Sequence, residues 1–85
     1  MTPLFKRNVL KIVSKIPRGK VLSYGKVACL AGSPGAARAV GNIMKSNHDP
    51  EIPCHRVIHS GGQVGNYNRG GEMVKKRLLK KEGYL

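Results

Sequence analysis

Glycine and proline divide this 85-residue chain into short segments, and this division limits the fold more than any other feature of the sequence. Eleven glycines and five prolines fall mainly between the apolar runs, where they indicate turns and helix ends. A chain of this length can also bury only a modest core. We therefore expect residues 1–85 to form one small domain of short elements.

Four of the segments have the apolar spacing of helices. Three predicted starts carry a capping signal: Thr2-Pro3, Ser23 and Ser33-Pro34. The predicted helices are residues 3–16, 24–31 up to Gly32, about 35–45, and 72–81 closed by Gly83, with Val74, Leu78 and Leu79 of the last one facing inward. Residues 52–58 have a compact β-rich pattern, and residues 60–63 have the composition of a hairpin-type turn.

The second and third predicted helices are joined by a tight turn that contains glycine, which is the pattern of a helix-turn-helix. The predicted fold is therefore α/β to mostly α. It combines a winged-helix-like helix-turn-helix with a short β segment at the active site and a C-terminal helix.

The net charge of +12, from sixteen lysines and arginines against four acidic residues, favours a polyanionic partner. Nucleic acid is the first expectation for such a balance, and a basic surface that serves solubility is the alternative. A membrane surface fits less well, because helices that lie on lipid usually expose tryptophan or phenylalanine. This chain has no tryptophan and one phenylalanine.

Cys54 is the candidate nucleophile, because His55 beside it could act as its base and Arg56 adds positive charge. On a regular strand, Cys54 and His55 would point to opposite faces, so the chain must turn or a water must bridge them. The alternative is that Cys54 is a small buried hydrophobic residue. For Cys29, on the second helix, we expect that buried role, and two thiols in so small a chain suggest a reduced, intracellular protein.

Other motifs predict neither a metal site nor a nucleotide-binding loop. His55 and His59 have a spacing that on a helix could share a metal ion, but on an extended segment they lie too far apart. The glycine-rich run 61–71 matches no phosphate-binding motif and is expected to be an active-site loop. Arg38 stands among alanines on the third helix, where it could project into DNA or remain an ordinary solvated arginine.

The segment Pro53-Cys54-His55-Arg56-Val57 resembles the signature of the O6-alkylguanine-DNA alkyltransferases (methylated-DNA--protein-cysteine methyltransferases), in which the cysteine accepts the alkyl group. Five further blocks occur in the order of that family with nearly its spacing. They are Ser23-Tyr24, residues 36–41, Asn47, Gly65-Asn66-Tyr67 and residues 81–83. The resemblance covers nearly the whole chain and corresponds to the family's catalytic half, without the N-terminal domain that its members commonly carry.

The resemblance implies a catalytic role for several residues. Cys54 would accept the alkyl group, His55 would act as its base through a bridging water, and Glu82 would orient His55. Asn47 would be a hinge between the recognition helix and the active site. Tyr24 would contact the target nucleotide and its phosphate, and it is a candidate proton donor to the leaving guanine.

The resemblance also implies how DNA and the lesion would be bound. Arg38 would occupy the position that the flipped base leaves, and the helix-turn-helix would enter the minor groove. Further DNA contacts are expected from Ala36, Ala37 and Arg56, and the substrate pocket is expected to include Val57, Tyr67 and Asn68. Asn68 lies in a loop with one apparently added residue, where many relatives have a small residue.

The function that the resemblance implies is DNA repair by stoichiometric transfer of an alkyl group from O6-alkylguanine in double-stranded DNA to Cys54. No cofactor and no metal would be needed, and we expect a cytoplasmic monomer, associated with the nucleoid if the source is prokaryotic. Two alternatives remain. One is a protein that binds the lesion without transfer, and the other is a basic helix-turn-helix regulator with an incidental buried Cys54.

Overall fold

The computed structural model describes residues 3–65 and 67–85. Two predictions, Thr2 as a helix cap and Asn66 within the block Gly65-Asn66-Tyr67, involve residues outside this part. The elements of the described residues are α1 (Pro3–Ser14), β1 (Leu22–Ser23), α2 (Tyr24–Leu30), α3 (Ala37–Ser46), a 3-10 turn (Cys54–Arg56), β2 (Val57–Ile58) and α4 (Gly71–Lys81). The predicted fold class, with its helix-turn-helix, short β segment and C-terminal helix, is confirmed.

Helix α2 begins and ends where its sequence signals predict. Ser23 caps it, because the Ser23 hydroxyl accepts a hydrogen bond from the backbone N–H of Lys26 at 3.0 Å. Gly32, at φ 92°, follows the last turn in the left-handed conformation that commonly ends helices. The helix therefore presents Tyr24 in its first turn.

Helix α3 begins two residues later than the predicted start at about residue 35. Ser33 does not cap it: the Ser33 carbonyl instead accepts a hydrogen bond from the N–H of Ala36 at 3.1 Å, which closes a turn over Pro34-Gly35. Gly35 has φ 89°, a conformation that a right-handed helix cannot contain, so the helix starts only after it. This turn separates the two helices of the helix-turn-helix.

The predicted β-rich segment 52–58 is wrong for its central residues, which form the Cys54–Arg56 turn. The N–H of Arg56 donates to the carbonyl of Pro53 at 2.9 Å, and only Val57–Ile58 continues as a strand. β2 pairs in parallel with β1, with Leu22 opposite Val57 and Ser23 opposite Ile58. The turn at residues 60–63 forms, closed by a bond from the N–H of His59 to the carbonyl of Gln63.

The main core lies between α1, α2, α3 and the segment that carries Cys54. Its buried members are Val9, Val13, Ile16, Val27, Ala28, Val40, Ile43, Met44, Cys54 and Val57. A second, smaller cluster joins Ile58, Val64 and Leu79, and it holds α4 against the sheet. The two clusters fix the Cys54–Arg56 turn between the helix-turn-helix and α4.

One burial prediction is wrong, and one buried residue was not predicted. Cys29 is exposed on α2, so its expected role as a buried hydrophobic residue is wrong. On α4, Leu79 is buried as predicted and Val74 and Leu78 are half-buried, but Lys75 is buried as well, with 1% of its surface exposed. The exposure of Cys29 follows from the side of α2 on which it lies, since Val27 and Ala28 occupy the core-facing side.

Candidate active site and DNA-binding surface

Cys54 lies at the start of the 3-10 turn with 4% of its surface exposed, and a polar group reaches its sulfur. The side-chain amide Nδ2 of Asn47 donates a hydrogen bond to Cys54 Sγ at 3.0 Å. Asn47 directly follows α3, so the end of this helix positions the donor. Such a donor stabilises a thiolate more than a thiol, because hydrogen bonds to charged acceptors are stronger. Cys54 is therefore buried, as the alternative interpretation expected, and is also placed for chemistry.

His55 and Arg56, which follow Cys54 in the 3-10 turn, form a hydrogen-bonded group with Glu82. His55 Nε2 lies 2.9 Å from Glu82 Oε2. Arg56 binds the same carboxylate in bidentate fashion, with Nε 2.9 Å from Oε1 and Nη2 2.7 Å from Oε2. Helix α4 ends at Lys81, which places Glu82 at its C-terminal end against the 3-10 turn. The structure thus brings together His55 and Glu82, as the resemblance implies.

The charge state of this group follows from these contacts. The hydrogen bonds from Arg56, followed by those from His55, lower the pKa of Glu82 to about 2, against the opposing effect of its burial. The same contact raises the pKa of Arg56. Glu82 is therefore ionised at neutral pH and can only accept hydrogen bonds, so the proton between it and His55 lies on Nε2. His55 Nδ1 is then the ring nitrogen that can take up a proton.

Arg56 has a different environment from the one predicted. Besides its two bonds to Glu82, its Nη1 donates to the carbonyl of Ile16 at 2.7 Å. Three N–H groups of the guanidinium are thus directed at protein acceptors, and the side chain ties Glu82 to the segment after α1. Arg56 therefore holds the Glu82 carboxylate in place. These contacts give no support to its expected role as a DNA contact.

Tyr24 and Lys75 contact each other near Cys54. Lys75 Nζ donates to the Tyr24 hydroxyl at 3.2 Å, and it lies 5.4 Å from the centroid of the tyrosine ring. Burial, and secondarily the proximity of Cys54, raises the pKa of Tyr24, so this hydroxyl keeps its proton at neutral pH. The ring of His59 contacts the Tyr24 ring at a centroid distance of 5.2 Å.

A cavity of about 780 Å³ extends from Cys54 and Tyr24 to residues of α3. Its lining residues are Tyr24, Ala37, Arg38, Gly41, Asn42, Met44, Lys45, Cys54, His59, Tyr67 and Asn68. A cavity of several hundred Å³ is large enough for a small molecule the size of a nucleobase. Cys54 is therefore accessible from the side of the molecule that α3 also lines.

Two of the three residues predicted for the substrate pocket line this cavity. Tyr67 and Asn68 line it, and the Tyr67 ring lies edge-on to the His55 ring at 6.3 Å. Val57 does not line it: this residue is completely buried in the core, opposite Leu22 in the sheet, so the prediction for its side chain is wrong. In the paired strand, Val57 belongs to the main core and does not contribute to the cavity wall.

Asn68 clamps the cavity loop to the end of α3. Its Nδ2 lies within hydrogen-bond distance of three carbonyl oxygens, those of Met44 (3.2 Å), Lys45 (2.8 Å) and Asn47 (2.6 Å). The last carbonyls of a helix lack partners within the helix, and of these three the Met44 carbonyl also accepts the N–H of Asn47 at 3.3 Å. Through Asn47, the clamp also supports the amide that holds Cys54 Sγ.

Three of the residues expected to contact DNA, Ala36, Ala37 and Arg38, lie on or next to α3. Arg38 is exposed in the first turn of α3 and lines the cavity, as does Ala37. Ala36 is the residue before the helix and packs half-buried against the main core. Lys45 adds an exposed cation in the last turn. The surface formed by Ala37, Arg38 and Lys45, called the α3 surface below, is small-residue-rich and basic.

The sequence patterns did not predict that Lys75 is buried against Tyr24 or that His59 lines the cavity. Lys75 precedes the buried Leu79 by four residues, and this helical spacing was the available signal. His59 was considered only for its spacing to His55. Within residues 3–65 and 67–85, no cluster of three or more metal-ligating side chains occurs. In the same residues, no helix is long and apolar enough to cross a membrane.

The fold and the site together define a helix-turn-helix domain built around a hydrogen-bonded cysteine. Residues 4–84 match the model of the DNA-binding domain of 6-O-methylguanine DNA methyltransferase. The methylated-DNA--protein-cysteine methyltransferases of Rattus norvegicus and Shigella flexneri are 53% and 48% identical over 93% and 95% of this chain. The chain spans only 39% and 47% of the length of these two relatives. It belongs to the 6-O-methylguanine DNA methyltransferase family.

Two solved structures share this fold over 98% of the chain. One is OGT of Mycobacterium tuberculosis in complex with DNA, with a TM-score of 0.88 and 40% identity, of which the chain covers 52%. The other is Atl1 of S. pombe in complex with damaged DNA that contains O6-carboxymethylguanine, with a TM-score of 0.86 and 38% identity, of which the chain covers 79%. Both relatives were therefore solved with DNA bound.

Proposed function

We propose that this domain repairs DNA by transferring an alkyl group from O6 of guanine to Cys54. The observation that carries the proposal is the placement of Cys54 Sγ, which is held by Asn47 in the wall of a cavity that α3 also lines. A nucleophile in this position meets a base that enters the cavity from the α3 surface. The names of the curated relatives support the same reaction.

His55 and Glu82 would activate the Cys54 thiol by removing its proton. With its Nε2–H donated to the ionised Glu82, His55 has a basic Nδ1 that accepts the Cys54 proton, directly or through a water. Glu82 then stabilises the resulting imidazolium. General-base catalysis of this kind contributes about 10²–10⁴ in rate.

In the transfer itself, Cys54 sulfur attacks the alkyl carbon while the bond from that carbon to O6 breaks. Negative charge moves onto the departing guanine, which needs a proton. Tyr24 lines the cavity and holds its proton, so it is placed to supply it. The product is a thioether, which water does not cleave under physiological conditions, and each chain acts once.

Access to O6 requires that the target base leave the duplex, at a cost of a few kcal/mol. The α3 surface would approach the minor groove, where the small Ala37 permits close contact. Arg38, exposed beside the cavity, would fill the place of the flipped base. Residues 1–85 would thus contain both the DNA-binding and the catalytic functions.

Lesion binding without transfer is the second candidate, because Atl1 has the same fold and was solved on alkylated DNA. The presence of Cys54, with its hydrogen bond from Asn47, favours transfer.

The experiment is mass mapping after incubation of the chain with duplex DNA that contains O6-methylguanine. We expect one methyl group per chain on Cys54, none on the exposed Cys29, and none in the Cys54→Ser variant. A label on Cys29, or none, would contradict the transfer. In that case, tighter binding to lesion DNA than to undamaged DNA would identify a lesion-binding protein, and equal binding to both would favour a regulator.

A further inference from the structure

His59 is a cavity residue that the reaction outlined above does not use. It directly follows β2, and the parallel register, with Ser23 opposite Ile58, brings it beside Tyr24, which directly follows β1. The rings of His59 and Tyr24 contact each other with their centroids 5.2 Å apart. Both residues line the cavity, so this edge of the sheet supplies a part of the cavity wall that does not belong to α3.

The His59 ring is held in place although the residue is exposed. The backbone of His59 closes a tight turn, because its N–H donates to the Gln63 carbonyl at 2.8 Å and its carbonyl accepts the N–H of Gly62 at 2.9 Å. The ring also packs so closely over Gly65 that a Cβ atom there would lie 2.8 Å from His59 Nε2. The turn, Gly65 and the Tyr24 ring thus fix the position of the imidazole before any ligand binds.

The ring nitrogens of His59 have no hydrogen-bond partner among residues 3–65 and 67–85. An imidazole carries one N–H donor when it is neutral and two when it is protonated. A donor that is already fixed in position loses little freedom when it binds a polar group of a ligand. Because His59 is exposed whereas Cys54 has 4% of its surface exposed, that polar group would lie at the mouth of the cavity.

The connectivity of DNA determines which part of the substrate reaches the mouth of the cavity. In the proposed transfer, the alkylated base enters the cavity until its alkyl carbon meets Cys54 Sγ. The sugar and the two phosphates of the same nucleotide stay joined to the strand, so they remain at the mouth. A phosphate oxygen is a charged acceptor, and hydrogen bonds to charged acceptors are shorter and stronger than those between neutral groups.

We propose that His59 binds one of the two phosphates that flank the flipped alkylguanine. It would do so from the edge of the sheet, while Arg38 and Lys45 face the same strand from α3. The inference rests on the proposed function, because it requires an alkylated base in the cavity. His59 would thus hold the strand in the flipped state, and it takes no part in the bond changes at Cys54.

The test is a double-mutant cycle between the protein and the DNA. Binding is measured by fluorescence anisotropy in a Cys54→Ser background, which prevents transfer, on duplexes that contain O6-methylguanine. One duplex has normal phosphates, and two others carry a neutral methylphosphonate on the 5′ or the 3′ side of the lesion. His59→Phe removes the ring nitrogens but keeps an aromatic ring beside Tyr24. His48→Phe, which changes an exposed histidine outside the cavity wall, is the matched control. Thermal unfolding of each variant verifies that it is folded.

With His59 present, we expect one of the two methylphosphonates to weaken binding about tenfold, since a hydrogen bond to a charged group is lost. His59→Phe should bind the normal duplex about tenfold more weakly, and in this variant the same methylphosphonate should cost less than about twofold more. His48→Phe should retain the full methylphosphonate effect. Equal methylphosphonate effects with and without His59, or no effect at either position, would overturn the inference. Failure of the wild type to methylate Cys54 would instead overturn the proposed function, because the binding cycle needs no transfer.

Discussion

At the scale of single residues, Glu82 determines the charge state of the candidate active site. It accepts hydrogen bonds from both His55 and Arg56 and is ionised well below neutral pH. One carboxylate therefore faces both the charged Arg56 guanidinium and the His55 ring, and in the proposed reaction it would stabilise a protonated His55. The same carboxylate also stabilises the fold, because its hydrogen bonds join the end of α4 to the 3-10 turn, 26 and 27 residues away in the sequence.

Replacement of Glu82 by Gln tests both roles. We expect the variant to transfer the alkyl group about tenfold more slowly at pH 7, since the His55 imidazolium loses its counter-charge. It should also be about 1–3 kcal/mol less stable, because the partly buried Arg56 loses its charged partner. The measurements are single-turnover transfer and denaturant unfolding at several pH values.

The pH dependence of the stability has a definite sign. The pKa of Glu82 is about 2 in the folded state, below its ordinary value of 4.5. The stabilisation by Glu82 is therefore fully present above about pH 4.5, and it is lost as the pH falls toward 2. Wild type and Glu82→Gln should converge in stability over this range. Rate profiles that coincide would mean that Glu82 only supports the fold.

At the scale of the elements, α3 carries the proposed recognition surface on one side and supports the active site with its C-terminal end. Arg38 lies in its first turn and Asn47 directly after its last residue. The Asn68 clamp on the terminal carbonyls holds this end in place. The proposed DNA recognition and the positioning of the cysteine thus depend on one helix.

Arg38→Ala separates these two roles of α3. Free O6-benzylguanine needs no base flipping, so its reaction should change less than twofold, because the loss of one exposed side chain leaves the fold intact. Repair of O6-methylguanine in duplex DNA should slow by at least about tenfold, since the flipped state loses its substitute for the stacked base. Arg77→Ala, an exposed arginine on α4, is the control. Equal losses on both substrates would show that Arg38 supports the pocket instead.

At the scale of the whole molecule, the net charge of +12 should dominate binding to DNA. Counterion release makes log K fall linearly with log salt, with a slope of about −0.9 for each neutralised phosphate. We propose that the α3 surface faces the DNA and that α1 lies away from it.

Salt titrations of DNA binding test this orientation. We expect Lys45→Gln to make the slope shallower by about one, since it removes one phosphate contact from the α3 surface. Lys11→Gln, an exposed lysine on α1, should leave the slope nearly unchanged. Binding is measured by fluorescence anisotropy on undamaged duplex between 50 and 200 mM salt, about the range over which such slopes are resolved. An equal change from both variants would mean that the charge acts without a defined binding face.

Local chemistry was sufficient to predict much of this protein from its sequence. The cap at Ser23 and the end of α2 at Gly32 depend on neighbouring residues, and the structure confirms both. The segment around Cys54 predicted the candidate nucleophile, and its resemblance to the family predicted the approach of His55 to Glu82. Periodicity also predicted the inward face of α4 at Leu79.

Tertiary structure alone decided the features that depend on contacts between distant parts of the chain. Arg56 binds Glu82 and the Ile16 carbonyl, across 26 and 40 residues of sequence, so its partners could not be inferred from its neighbours. The parallel pairing of β1 with β2 buries Val57, and the packing of α4 against Tyr24 buries Lys75. A sequence states which groups can ionise or form hydrogen bonds, but desolvation and pairing arise only when segments pack together, and they decide which charges become part of the site.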